Sequence, residues 1–351
     1  MSLGPIMLDL CGITLEHGER EMLQHPLVGG VILFSRNYES PDQLTFLTET
    51  IHALREPRLL IAVDHEGGRV QRFRSGFTSL PPCQLIGKRY DQDNATGLAL
   101  AEKTGWLMAL ELRAAGIDFS FAPVLDLQKG ISKVIGDRAF HRDPETVARL
   151  AKQFMQGMKR AGMSAVGKHF PGHGSVKGDS HHTLPADYRR FEDIQMDDLV
   201  SFEQLIHAGL AAIMPAHVVY PLVDDKPAGF SSVWLKKVLR QQLQFQGTIF
   251  SDDICMAGAE VAGDYTGRAR SALAAGCDMV LVCNNQKGAA EVLDNLEHNP
   301  DPASQVRLIR MHGKKHLTLT QMQDDSEWQN TSREIAALDI MPELELGDDA
   351  T

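Results

Sequence analysis

One local phrase recurs along this chain and limits its fold more than any other feature. A helical pattern closes on glycine, and an apolar run of strand length follows at once. The phrase stands at RAAGIDFSFAPVLD, KRAGMSAVGKHF, HAGLAAIMPAH, FQGTIFSDD and AAGCDMVLVCN, with Gly116, Gly162, Gly209, Gly247 and Gly276 in the shared place. Glycine tolerates the left-handed conformation that ends a helix, so it belongs where helix hands over to strand. Three earlier runs, GPIMLDLCG, VGGVILFSRN and LLIAVDHEGG, also read as strands. All eight are nearly continuous rather than alternating, the pattern of parallel strands covered on both faces. The intervening helices carry their own signals. In DPETVARLAKQFMQGMKRAG, Asp143 suits the N-cap, Pro144 the first helical position and Gly162 the end. Val147, Leu150, Ala151, Phe154 and Met158 then share one face, for packing.

Eight β-then-α units over roughly 285 residues fit a (β/α)8 barrel, which typically takes about 250. The expected fold is therefore α/β, a single-domain TIM barrel over residues 1–323. An acidic C-terminal helix and tail, partly disordered, is expected over 324–351, which ends MPELELGDDAT. A doubly wound open sheet competes with the barrel. No GxGxxG follows the first strand and no P-loop occurs, which lowers the weight of its nucleotide-binding forms.

A net charge of -11 and a pI near 5.7 argue against nucleic acid or an anionic membrane as partner. The start, MSLGPIMLDLCG, lacks the basic flank and long apolar stretch of a signal peptide, and no run of about 18 apolar residues predicts a membrane span. The five cysteines form no CxxC pair, which suits reduced, packed thiols. A cytoplasmic monomer without metal or cofactor is expected.

In such a barrel the active site lies at the carboxyl ends of the strands. Those ends carry Asp64, His65 and Glu66 after the third strand and Asp126 after the fourth. Lys168 and His169 follow the fifth, His217 the sixth, Asp252 and Asp253 the seventh, Asn284 and Asn285 the eighth. Any one of them is as well explained by a cap or a loop hydrogen bond. The set points to function.

The stretch KHFPGHGSVKGDSHHTLP, residues 168–185, is too broken by Gly and Pro for regular structure. Three chemistries compete for it. His169, His173, Asp179, His181 and His182 are possible zinc ligands, but no HExxH or first-strand His-x-His supports them. GHGSVKG resembles a phosphate cradle, but it lacks the Gly-Lys-Ser/Thr ending and a following helix. Proton transfer remains. Asp179 stands two residues before His181 and can orient one ring nitrogen, leaving the other as acid or base. With a strand-end aspartate across the barrel, that suggests a nucleophile and a proton shuttle.

The phrases VDHEGGRVQRF, VIGDRAF, GKHFPGHGSVKGDSH, IMPAHVVY, GTIFSDDICMAGA and AGCDMVLVCNNQKGA resemble, in order from about Gly4 to Leu293, the β-N-acetylglucosaminidases of glycoside hydrolase family 3. The closer likeness is to the single-domain bacterial enzymes of peptidoglycan recycling. The resemblance implies a (β/α)8 barrel, no cofactor, and a muropeptide or disaccharide as the small-molecule partner. It implies Asp252 as nucleophile, His181 as acid/base and Asp179 as its paired carboxylate. Asp64, Arg72, Arg138, Lys168 and His169 match the residues that bind the terminal sugar. His65 stands where relatives often have Gln, and Asp253 is left as a structural acceptor of backbone N–H groups. A phosphorylase and a catalytically silent sugar-binding barrel are the competing functions.

Overall fold

The structure, a computed structural model, describes residues 2–178, 183–314 and 317–338. All eight expected runs contain parallel strands. They are β1 (Ile6–Asp9), β2 (Val28–Leu33), β3 (Leu60–Val63), β4 (Phe119–Ser120), β5 (Val166–Phe170), β6 (Ala212–Pro215), β7 (Thr248–Ile249) and β8 (Val280–Val282). The sheet order is β8-β1-β2-β3-β4 in one sheet and β7-β6-β5 in a second. Isolated parallel bridges join their edges, Val124 to Lys168 between β4 and β5 and Phe250 to Met279 between β7 and β8. Short antiparallel hairpins, His65–Gly67 with Val70–Gln71 and Val219–Tyr220 with Asp224–Pro227, stand on the carboxyl ends of β3 and β6.

The helix over Pro144–Arg160 begins as its sequence requires. Asp143 accepts a hydrogen bond from the Thr146 backbone N–H, and Val147, Leu150, Ala151, Phe154 and Met158 are all buried. Gly116, Gly162, Gly209 and Gly276 take positive φ of 85°, 84°, 90° and 128°. Gly247 does not follow them. The preceding helix, a π-helix over Val233–Gln242, turns out through Gln244 at φ 53°. Gly247 is needed for space instead, because a Cβ there would lie 2.2 Å from the Ala211 carbonyl oxygen.

Three phenylalanines bring the two sheets into contact. Phe119 of β4 and Phe250, just past β7, have ring centroids 5.1 Å apart, and Phe121 lies edge-on to both. The chain beyond residue 323 forms a helix, Ser326–Ala336, with Ile335 buried. Its Trp328 donates from Nε1 to Glu111, at 3.0 Å, on the long helix Asn94–Ala114. The rest of the expected tail, from 339, lies outside the described residues. No helix among the described residues is long and apolar enough to cross a membrane.

Candidate active site

The chain Asp-His-Glu-Gly-Gly leaves β3 and folds back at once as a hairpin. Gly67 and Gly68 make that turn at φ 104° and 56°, pressed so closely on Pro81 and Pro82 that a Cβ would come within 2.6 and 2.8 Å of them. The turn leaves Glu66 on the outgoing strand of the hairpin and Arg72 just past the returning one.

Lys168, on β5, is 1% exposed. Its Nζ donates to Asp64 Oδ1 at 2.6 Å and lies 2.7 Å from Glu66 Oε1. Glu66 also accepts both arms of Arg138, from Nε and Nη2, each at 2.8 Å. Burial alone would raise the Glu66 carboxyl, but Arg138 and Lys168 together hold it well below the usual carboxylate range. Asp64, Lys168, Glu66 and Arg138 thus form one buried chain of alternating charge. Arg72 is buried too, its guanidinium 5.6 Å from the Phe34 ring centre.

His169 is fixed by Asp126. Nδ1 lies 2.6 Å from Asp126 Oδ2, and the other carboxylate oxygen accepts the His173 backbone N–H at 2.6 Å. Burial would raise Asp126, yet the neighbouring His169 imidazole leads the contacts that hold it ionised. An ionised carboxylate only accepts, so Nδ1 carries the His169 proton and Nε2 is left as the second ring atom for a ligand. Burial pushes His173 down to about 4, against the opposing pull of Asp126 and Asp252.

The strand carrying Asp252 ends at Ile249, with a further bridge at Phe250, so alternation along the strand does not extend to the aspartates. Hydrogen bonds separate the pair instead. Asp253 donates its backbone N–H to Asp252 Oδ1 at 2.9 Å, while its own Oδ1 accepts the N–H groups of Cys255 and Cys283 at 2.9 and 3.0 Å. His217 Nε2 lies 3.0 Å from the Asp253 carbonyl oxygen, which holds the turn from β6. Burial pushes Asp253 up to about 7.

Asp179 and His181, together with His182, lie outside the described residues. The residues on either side of that stretch are described. Tyr220 donates its hydroxyl to the Gly172 carbonyl at 2.7 Å, and Ala186 bridges Val219. Beyond it, Arg189 bonds Asp187 and Asp198 at 2.6 and 2.7 Å. Among the described residues, no three His, Cys, Asp or Glu side chains converge as metal ligands.

A family model described as "Glycosyl hydrolase family 3 N terminal domain" matches residues 6–311. The chain belongs to glycosyl hydrolase family 3. A family 3 relative from Thioalkalivibrio sulfidiphilus, named beta-hexosaminidase, is 61% identical over 346 residues, 99% of either chain. Another beta-hexosaminidase, from Methylobacillus flagellatus, is 60% identical over 316 residues and 90% of each chain. Among solved structures, NagZ from Neisseria gonorrhoeae in complex with N-trifluoroacetyl-D-glucosamine superposes with a TM-score of 0.92 at 46% identity, covering 96% of this chain and 98% of that one. This family 3 chain is accordingly a glycoside hydrolase of the β-N-acetylhexosaminidase class.

Of the eight residues the resemblance singled out, the geometry joins Asp64, Lys168 and Arg138 in one cluster. It supports His169 from Asp126 and anchors the turn at Asp252. Sequence reasoning placed Glu66 and Asp126 among the strand-end charges but gave them no part. Their signal was available: an acid in an apolar environment requires a partner, and Lys168 and Arg138 reach Glu66 while the His169 ring reaches Asp126.

Proposed function

We propose that this enzyme is a retaining exo-β-N-acetylglucosaminidase. It removes the non-reducing terminal N-acetylglucosamine from GlcNAc-1,6-anhydroMurNAc, with or without peptide, in peptidoglycan recycling. The reading takes the eight strands as one closed (β/α)8 barrel, supported by the bridges at both sheet edges and by the contact of Phe119 with Phe250 across the interior. The observation that carries the function is the buried Asp64–Lys168–Glu66–Arg138 chain at the carboxyl ends of the strands. Two acids and two bases cancel, so this group favours a neutral polyhydroxylated ring, whose hydroxyls both donate and accept. The Neisseria relative's complex with an N-acylated glucosamine agrees with that.

In this mechanism Asp252 attacks the anomeric carbon as the glycosidic bond breaks, and His181, oriented by Asp179, protonates the departing oxygen. Water then gives a proton to His181 and attacks the same carbon, releasing the Asp252 carboxylate. Most retaining glycosidases use two carboxyl groups about 5–5.5 Å apart for these roles. Asp253 is a tempting second carboxyl, because burial raises it toward neutrality. Its Oδ1 is committed to two backbone N–H groups, which favours a structural part and leaves the proton to the loop. Arg72 and His169 join Asp64, Lys168 and Arg138 in holding the terminal sugar. The enzyme is read as a cytoplasmic monomer that needs no metal or cofactor.

The test is turnover of p-nitrophenyl β-N-acetylglucosaminide and of the anhydro-disaccharide, with and without phosphate and after exhaustive chelation. Free N-acetylglucosamine in every arm is the expected product. Formation of the 1-phosphate would make the enzyme a phosphorylase, and binding without turnover would make it a silent sugar binder. A loss on chelation that zinc restores would replace the proton shuttle by metal chemistry.

A further inference from the structure

Glu66 touches two of the side chains assigned to the sugar and is itself buried, with 2% of its surface exposed. Its Oε1 is shared between Lys168 Nζ at 2.7 Å and Arg138 Nη2 at 2.8 Å, and its Oε2 takes Arg138 Nε at 2.8 Å. These contacts span three separate parts of the chain: the hairpin after β3, the short 3-10 turn Gly136–Arg138 and strand β5. The Arg138 side chain has one further hydrogen bond among the described residues, from Nη1 to the Val134 carbonyl at 3.3 Å. Lys168 has Asp64, itself one of the sugar-binding candidates. Without Glu66, Lys168 would keep only Asp64 and Arg138 only the Val134 carbonyl among these bonds, and the two buried cations would repel each other with no shared acceptor to set their directions. We propose that Glu66 is the positioning residue that fixes Lys168 and Arg138 for the terminal sugar.

The reason is geometric as well as electrostatic. The planar guanidinium of Arg138 presents Nε and Nη2 as a fork, and a carboxylate receiving both has one orientation left. That orientation turns Oε1 toward Lys168, so one carboxylate sets the direction of both cations. Lysine alone is a point charge on four rotatable methylenes and needs such an external reference. The inference rests on the proposed assignment of Lys168 and Arg138 to the sugar.

The experiment compares Glu66→Gln, Glu66→Asp, Lys168→Met and the double variant Glu66→Gln/Lys168→Met, by steady-state kinetics on the anhydro-disaccharide and by thermal unfolding. Gln keeps the shape and removes the charge that serves two cations. It should raise KM by about tenfold or more with a smaller change in kcat, as expected when ground-state and transition-state binding are lost together. Asp keeps the charge but falls one methylene short, and should restore part of the loss. In the Lys168→Met background the Gln substitution should cost much less than it does alone, because half of its action is already gone. Fully additive effects, or an unchanged KM in a folded Glu66→Gln enzyme, overturn the proposal. So do Gln and Asp variants that both fail to fold, since Glu66 would then serve the fold itself. If Lys168→Met leaves KM unchanged, it is the sugar-binding assignment that fails. If Lys168→Met raises KM and Glu66→Gln does not, only the positioning role fails.

Discussion

Buried carboxylates occupy both ends of the parallel strands, and they are satisfied in different ways. At the amino ends, Asp118 precedes β4 and Asp278 precedes β8, each two residues after the glycine that closes a helix. Asp118 accepts the backbone N–H of Ile61 on neighbouring β3 at 3.0 Å and of Gly313 at 2.9 Å. Asp278 accepts the N–H of Ile249 on neighbouring β7 at 2.8 Å and pairs with Arg240 and Arg307 at 3.0 and 2.7 Å. The same phrase, Gly-x-Asp, makes the same stitch twice: strand to strand, and strand to the C-terminal segment. At the carboxyl ends, Asp126 and Asp253 likewise accept backbone N–H groups, whereas Asp64 and Glu66 are held by the Lys168 and Arg138 side chains. A carboxylate that accepts backbone N–H groups of a neighbouring strand, as Asp118 and Asp278 do, ties the chain together. One held by cationic side chains shares donors that a sugar can also use.

The comparison is broken most sharply at Asp252. Asp252→Ala should lower kcat/KM on the order of 10³-fold or more, the scale seen when a covalent nucleophile is removed, while costing only about 1 kcal/mol of stability for the one turn hydrogen bond it accepts. A fluorinated glycosyl trap should label Asp252 in the wild type. Label on Asp253, or inverted product, would reverse the two assignments. Next comes His181→Ala, which should cost about 10²–10⁴-fold on the anhydro-disaccharide, the range of general acid catalysis. It should cost far less on the nitrophenyl substrate, whose leaving group needs little protonation. Equal losses on both would assign His181 to binding or to the second step, and a pre-steady-state burst separates these.

At the opposite end the effect should fall on stability alone. Asp118→Ala leaves the buried Arg113 and two backbone N–H groups unanswered, and Asp278→Ala leaves the Ile249 N–H and two half-buried arginines, a loss of up to about 3–5 kcal/mol by analogy with other broken buried pairs. Chemical denaturation measures this, and kcat of the remaining folded enzyme should be unchanged. A kcat loss with intact stability would erase the distinction between the two ends. The smallest effect belongs to His65, which sits between Phe73 and Phe77 with its Nδ1 buried and without a hydrogen-bond partner among the described residues. Burial pushes it down to about 3. The unfolded chain therefore binds the extra proton first, and stability is lost as pH falls from about 6.5 toward 3. His65→Gln should remove that slope, gaining up to about 2 kcal/mol at pH 5 relative to pH 8. Its turnover should stay within about twofold, as for a residue outside the reacting groups. Melting curves across that pH range decide it.

The fold was legible where its cause is local. Helix closure at glycine, a continuous apolar run and an N-cap aspartate depend on neighbours a few residues away, so all eight strands and the Pro144–Arg160 helix could be placed. Gly247 shows the limit, because its smallness answers to the Ala211 carbonyl rather than to its own helix end. The site divides in the same manner. Charges at strand ends stood out as a set, and the family resemblance supplied roles for Asp252 and Lys168. The task of Asp126 stayed hidden, because its partners His169 and His173 lie on the next strand and its loop.

By itself, then, the sequence determined which runs hold the strands, that charged residues follow them and that the chain is acidic, since each is a matter of local pattern or a sum. Tertiary structure alone decided the pairing. Glu66 meets Arg138 across 72 residues, and Lys168 meets Asp64 across 104. Buried charges select partners by direction and distance once solvent is excluded, and neither exists until the strands stand side by side.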